Sequence, residues 1–88
     1  MENKTEYSKD IRNRLSRNIG HLAKVKEMID AGEDFERVML QFRAARSALA
    51  STSNALVAEK AQAEVIAALD SGKPEAVLEF YKDYSKYF

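Results

Sequence analysis

The chain has 88 residues, with 14 basic and 14 acidic side chains and a formal net charge of zero. That length supports a single domain, and the absence of cysteine excludes disulfides, thiolate metal sites and thiol catalysis. With 45% hydrophobic and 32% charged residues, three glycines and one proline, the composition is that of a helical globular chain and not of a disordered one.

The opening MENKTEYSKD contains no apolar run of the secretory kind. No later segment approaches the ~20 apolar residues that span a bilayer. The expectation is a cytoplasmic protein with no membrane partner, flexible over residues 1–7. A first helix is predicted over 8–31, where Ile11, Leu15, Leu22, Val25 and Ile29 form a stripe of near-heptad spacing. Asn18 falls where that stripe would continue, either as a register-fixing polar residue in a seam or as an edge residue. Gly32 supplies a left-handed stop.

Asp34 can cap a second helix over 34–71, in which Phe35, Val38, Phe42, Ala45, Leu49, Leu56, Ala63 and Ile66 keep a three-and-four rhythm. At 1.5 Å per residue this is a rod of about 54 Å, longer than a single short helix can cover. A second copy of the chain is the simplest cover for the rest of its apolar face. Gly72 and Pro74 mark a stop and a restart. The last helix, 74–87, is expected to set Val77, Tyr81, Tyr84 and Phe88 on one face. The predicted architecture is all-α, with short, very long and short helices forming an antiparallel bundle. It assembles as a dimer or a dimer of dimers through Phe35, Phe42, Leu49, Leu56, Tyr81 and Tyr84. Below about 100 residues, such association adds burial that one chain lacks.

The neutral total hides an asymmetry. Residues 1–26 carry seven Lys and Arg against three acids, while the remainder is net acidic. Arg14, Arg17, His21 and Lys24 are spaced to share one stripe of the first helix, with Lys9 and Arg12 beside it. Arg43 and Arg46 add a pair on the second helix. Such a row suits a phosphate backbone; a solvated charged face is the plainer alternative. His21 is the sole histidine and is expected at the surface, since one His without Cys builds no metal cage. There is no nucleophile–base arrangement, phosphate loop or dinucleotide fingerprint, so neither an enzyme nor a cofactor is expected.

The run from Arg14 to His21, Arg-Leu-Ser-Arg-Asn-Ile-Gly-His, resembles the R-L-R-R-I-x-G-Q signature of the CsoR/RcnR/FrmR-type repressors. The run from Val38 to Leu49, Val-Met-Leu-Gln-Phe-Arg-Ala-Ala-Arg-Ser-Ala-Leu, is similar to their I-L-x-Q-I-x-A-V-R-A-A-L. The resemblance extends from about residue 8 to residue 66, and more loosely into the last helix. It implies a tetrameric helical repressor that binds double-stranded operator DNA through basic residues of its first two helices and leaves it on binding an effector. Arg14 and Arg17 match arginines implicated in DNA contact, Gly20 the motif glycine, and Arg46 the arginine of the second signature. Ser16 stands where a further Arg is usual, and His21 where Gln is usual. The family's sensor cysteine falls on Phe35, its histidine on Lys60 and a third ligand on Glu64. A ring, an ammonium and one carboxylate are not a metal site, and Lys60 and Glu64, four apart, can pair with each other. The resemblance therefore implies DNA binding without copper, nickel or formaldehyde sensing, the effector being unknown. The alternative is a helical interaction protein that has lost DNA binding and acts through homo- or hetero-oligomers.

Overall fold

In a computed structural model, residues 5–88 are described; the first four residues of the expected flexible start lie outside them. The described chain is helical, with α1 over Lys9–Asp30, α2 over Phe35–Asp70, α3 over Ala76–Tyr84 and a final 3₁₀ turn over Ser85–Tyr87. The boundaries follow from local chemistry. Ser8 is extended (φ −67°, ψ 158°), and its hydroxyl accepts from the Ile11 N–H at 3.1 Å, capping α1. Asp34 does the same for α2, its Oδ2 accepting from the Glu36 and Arg37 N–H groups at 3.1 and 3.4 Å. Both expected glycine stops are left-handed, Gly32 at φ +68° and Gly72 at φ +73°. Each closes a paired C-terminal motif: Glu33 N–H to Met28 O and Gly32 N–H to Ile29 O, then Lys73 N–H to Ala68 O and Gly72 N–H to Leu69 O. Within the 36 residues of α2 there are ten alanines and no Gly or Pro, a composition that keeps a mostly exposed helix intact.

The last helix is shorter than its pattern suggested. Pro74 and Glu75 enter it through i→i+3 bonds, Val77 N–H to Pro74 O and Leu78 N–H to Glu75 O, before α3 proper begins at Ala76. After Tyr84 the chain tightens to 3₁₀ and ends on the Phe88 N–H to Ser85 O bond.

The chain divides between Thr52 and Ser53 into two compact units. In the first, α1 and the opening half of α2 form a hairpin whose buried residues are Ile11, Asn18, Val25 and Met28 against Val38, Ala45 and Thr52. Apart from Met28, these positions recur every seven residues on both helices, as in a short antiparallel coiled coil. The expected stripe is corrected here. Leu15, Leu22 and Ile29 are 45%, 37% and 53% exposed, and Phe35, Phe42 and Leu49 are 71%, 43% and 36% exposed. They lie next to the seam, about 20–80° round each helix from it and on the same flank of the hairpin. The sequence periodicity marks two adjacent rows, and the seam takes the one with the smaller and more polar residues, which lets the helix axes approach.

In the second unit, Ala68 and Phe80 are buried. Phe80 stacks on Tyr84 with ring centroids 4.7 Å apart, and Phe88 closes on both Phe80 and Tyr81 at 6.4 and 6.0 Å. Tyr84 is half-buried, whereas Tyr81 is 58% exposed. The expected face of Val77, Tyr81, Tyr84 and Phe88 is therefore corrected: the unit is organised round Phe80, and the 3₁₀ turn folds Phe88 back where a continued helix would carry it onward.

Candidate functional site

The seam of the hairpin is polar at its middle. The Thr52 hydroxyl donates to Asn18 Oδ1 at 2.6 Å, with the Ala48 carbonyl as a second acceptor at 3.1 Å. Asn18 and Thr52 are 6% and 8% exposed, so this is a buried hydrogen bond and not an edge contact. One turn further along α1, His21 Nε2 lies 3.1 Å from Gln41 Oε1. His21 is half-buried in the seam, which corrects its expected place at the surface. Two polar pairs thus set how α1 lies against α2, since a slip of one turn would leave buried groups without partners.

On the flank opposite the exposed apolar residues, a cavity of about 150 Å³ opens between the helices, lined by Arg14, Arg17, Asn18, Ala48, Ser51 and Thr52. Arg14 is half-buried and its Nε donates to Asp10 Oδ2 at 2.8 Å, a contact that holds the guanidinium along the helix. Arg17 is exposed and forms no ion pair among the described residues. Lys24, two turns on, continues the outer edge of the same stripe and is exposed.

The other sequence-selected cations do not gather here. The Arg12 guanidinium donates to the Tyr7 carbonyl at 2.6 Å, and Lys9 is exposed on the far side of α1 from the seam. Arg43 and Arg46 are exposed; from Ala45 they lie about 160° and 100° round α2, so neither reaches the Arg17 flank of its own chain. Asn18, Ser51 and Thr52 escaped selection as site residues. The signal that could have found Asn18 and Thr52 is the seven-residue spacing Ile11–Asn18–Val25 set against Val38–Ala45–Thr52.

At the positions that the sequence resemblance assigns to a sensor, the Phe35 ring is exposed and Lys60 Nζ lies 3.6 Å from Glu64 Oε2. The same ammonium sits 5.8 Å from the Tyr84 ring centroid, within cation–π range. Among the described residues, no group of three or more His, Cys, Asp or Glu could hold a metal ion, and no helix is long and apolar enough to cross a membrane.

The hairpin thus sets Arg14 and Arg17 beside a groove on one flank, an exposed apolar row on the other and polar pairs that fix its register. The family model for the metal-sensitive transcriptional repressor matches residues 7–84, and the chain belongs to that family. The family is one of transcriptional regulators, not an enzyme class. No curated protein and no solved structure matches the chain.

Proposed function

We propose that this protein is a DNA-binding repressor that acts as an oligomer, either a dimer or a dimer of dimers, and lacks the family's metal and formaldehyde sensor. The observation that carries the reading is the two-sided hairpin. Arg14, Arg17 and Lys24 occupy one flank, while Leu15, Leu22, Ile29, Phe35, Phe42 and Leu49 expose an apolar row on the other. Exposed apolar rows of this extent mark association surfaces. Pairing two copies through that row buries it and leaves the cationic flanks outward. Symmetry then multiplies Arg14 and Arg17 into a patch that one chain does not have. Phosphate contacts by Arg and Lys supply most of the affinity in such an interface. Lys9, Arg12, His21, Arg43 and Arg46 are secondary candidates. His21 reaches DNA only by giving up Gln41, and Arg43 and Arg46 reach it only on a surface assembled from several chains. Leu56, Tyr81 and Tyr84 extend the packing candidates into the second unit.

The sensor residues do not fit a metal. A phenyl ring offers no ligand at residue 35, and the Lys60 ammonium brings a positive charge to the place where a cation would bind. The Lys60–Glu64 ion pair stands in for a metal bridge between the same two positions. DNA release therefore answers to another signal or to none.

The double charge reversal Arg14→Glu/Arg17→Glu tests this reading. Binding to a duplex from the protein's own upstream region is expected to disappear, while the oligomer's mass by light scattering stays the same. A double variant that binds as tightly as the unaltered protein refutes the assignment.

A further inference from the structure

We propose that the cavity between α1 and α2 is a site for one phosphate-class oxyanion, held by Arg14, Arg17, Asn18 and Ser51. Its lining is almost all donor. Arg14 spends its Nε on Asp10 and keeps its two terminal nitrogens; Arg17 keeps its whole fork. Asn18 is 6% exposed, and its single acceptor is taken by the Thr52 hydroxyl. Its amide nitrogen forms no hydrogen bond among the described residues and is not enclosed, so it is available to donate to a ligand in the cavity that Asn18 lines. The Ser51 hydroxyl has no hydrogen bond among the described residues and lines the same wall. No carboxylate and no other charged group lines the space. Asp10 lies outside it, 68% exposed, so two guanidiniums face the cavity with one of them half neutralised. Two guanidiniums, the donors of Asn18 and Ser51 and the absence of any carboxylate from the lining favour an anion over a cation. The volume, about 150 Å³, admits a tetrahedral oxyanion with water beside it.

The same chemistry has two sources, a backbone phosphate of DNA or free inorganic phosphate. The site itself does not depend on the DNA-binding reading. One consequence does: free phosphate then competes with the duplex for Arg14 and Arg17, which couples occupancy of the operator to a small anion.

Two arms on the full chain distinguish the sources. In the first, inorganic phosphate is titrated against a chloride control of equal ionic strength while the side-chain resonances of Asn18 and Arg17 are followed by NMR. Saturable shifts with phosphate alone are expected. Arg17→Gln should weaken the dissociation constant about tenfold and Ser51→Ala several-fold; both residues are exposed, so the fold tolerates the changes. In the second arm, duplex affinity is measured by anisotropy for the same variants, with and without phosphate at matched ionic strength. Saturable phosphate binding that also displaces DNA supports both the site and the competition. Saturable phosphate binding with no effect on DNA supports the site and removes Arg14 and Arg17 from the DNA interface. No saturable phosphate binding, but weaker duplex binding in Ser51→Ala, assigns the site to a DNA phosphate. Shifts matched by chloride together with unchanged duplex affinity in Ser51→Ala overturn the proposal.

Discussion

Replacing Thr52 with Val keeps the side chain's shape and removes its hydroxyl. The 2.6 Å bond to Asn18 Oδ1 is then lost, and the Asn18 amide is left nearly enclosed at 6% exposure. Desolvating a carbonyl with no donor costs about 1–3 kcal/mol. On a domain of this size each kcal/mol moves the thermal midpoint by about 4–8 °C, so a fall of about 8–16 °C is expected for a cost near the middle of that range. Asn18→Leu removes the other partner and leaves the Thr52 hydroxyl its second acceptor, the Ala48 carbonyl at 3.1 Å, so it should cost less. With both changed, no buried polar group is stranded, and the double variant should recover most of the stability lost in Thr52→Val. The assay is a double-mutant cycle by calorimetry at one fixed protein concentration, because association feeds into the midpoint. Strict additivity, or a neutral Thr52→Val, would refute the claim that this pair is a buried and mutually satisfied element of the seam.

Other substitutions separate local roles. Gly20 sits inside α1 with nothing within 4 Å of a Cβ built there, so Gly20→Ala should stabilise the chain by about 1 kcal/mol; weaker DNA binding in the same variant, seen by anisotropy, would show that a partner needs that bare backbone. Gly32 has φ +68°, and Gly32→Ala should cost about 1 kcal/mol or more in a denaturant titration; an unchanged midpoint would contradict the left-handed stop. Phe42→Glu places a charge in the exposed apolar row and should lower the oligomer's mass by light scattering while helicity is retained; an unchanged mass would remove that row from the interface. Titration with copper or nickel ions should give no tight stoichiometric complex, and a complex that survives gel filtration would sink the claim of a lost sensor.

The stops and starts around the first two helices were legible in the sequence because they rest on local chemistry, whereas the ends of the last helix do not follow from its pattern. Ser8 and Asp34 offer cap acceptors, Gly32 and Gly72 admit positive φ, and Pro74 stops a helix from continuing through it. The choice of seam was not legible from apolar spacing alone. Leu15, Leu22 and Ile29 make a better hydrophobic row than Ile11, Asn18 and Val25, and only the pairing of Asn18 with Thr52 and of His21 with Gln41 reveals which row faces α2. A polar seam partner is a property of two helices, and one helix's periodicity carries no trace of it. Phe80 escaped for a related reason: the 3₁₀ turn after Tyr84 folds Phe88 back onto it, and no straight-helix wheel contains that turn. For the candidate site, the cations were visible as a charge asymmetry and a family motif. Their division between a cavity on one flank and exposed positions elsewhere depends on how α1 and α2 pack, and so does the joining of Ser51 to Arg14 and Arg17 across them.

The most direct test of the central claim is the salt dependence of binding to a duplex from the protein's own upstream region, followed by anisotropy from about 50 to 200 mM salt. If each of at least two chains places Arg14 and Arg17 on phosphates, about four counterions are released and the log–log slope is about −3.6 or steeper. Affinity should also exceed that for a random duplex at every salt concentration. A shallow slope, or equal affinity for both duplexes, would contradict operator binding through the basic flank.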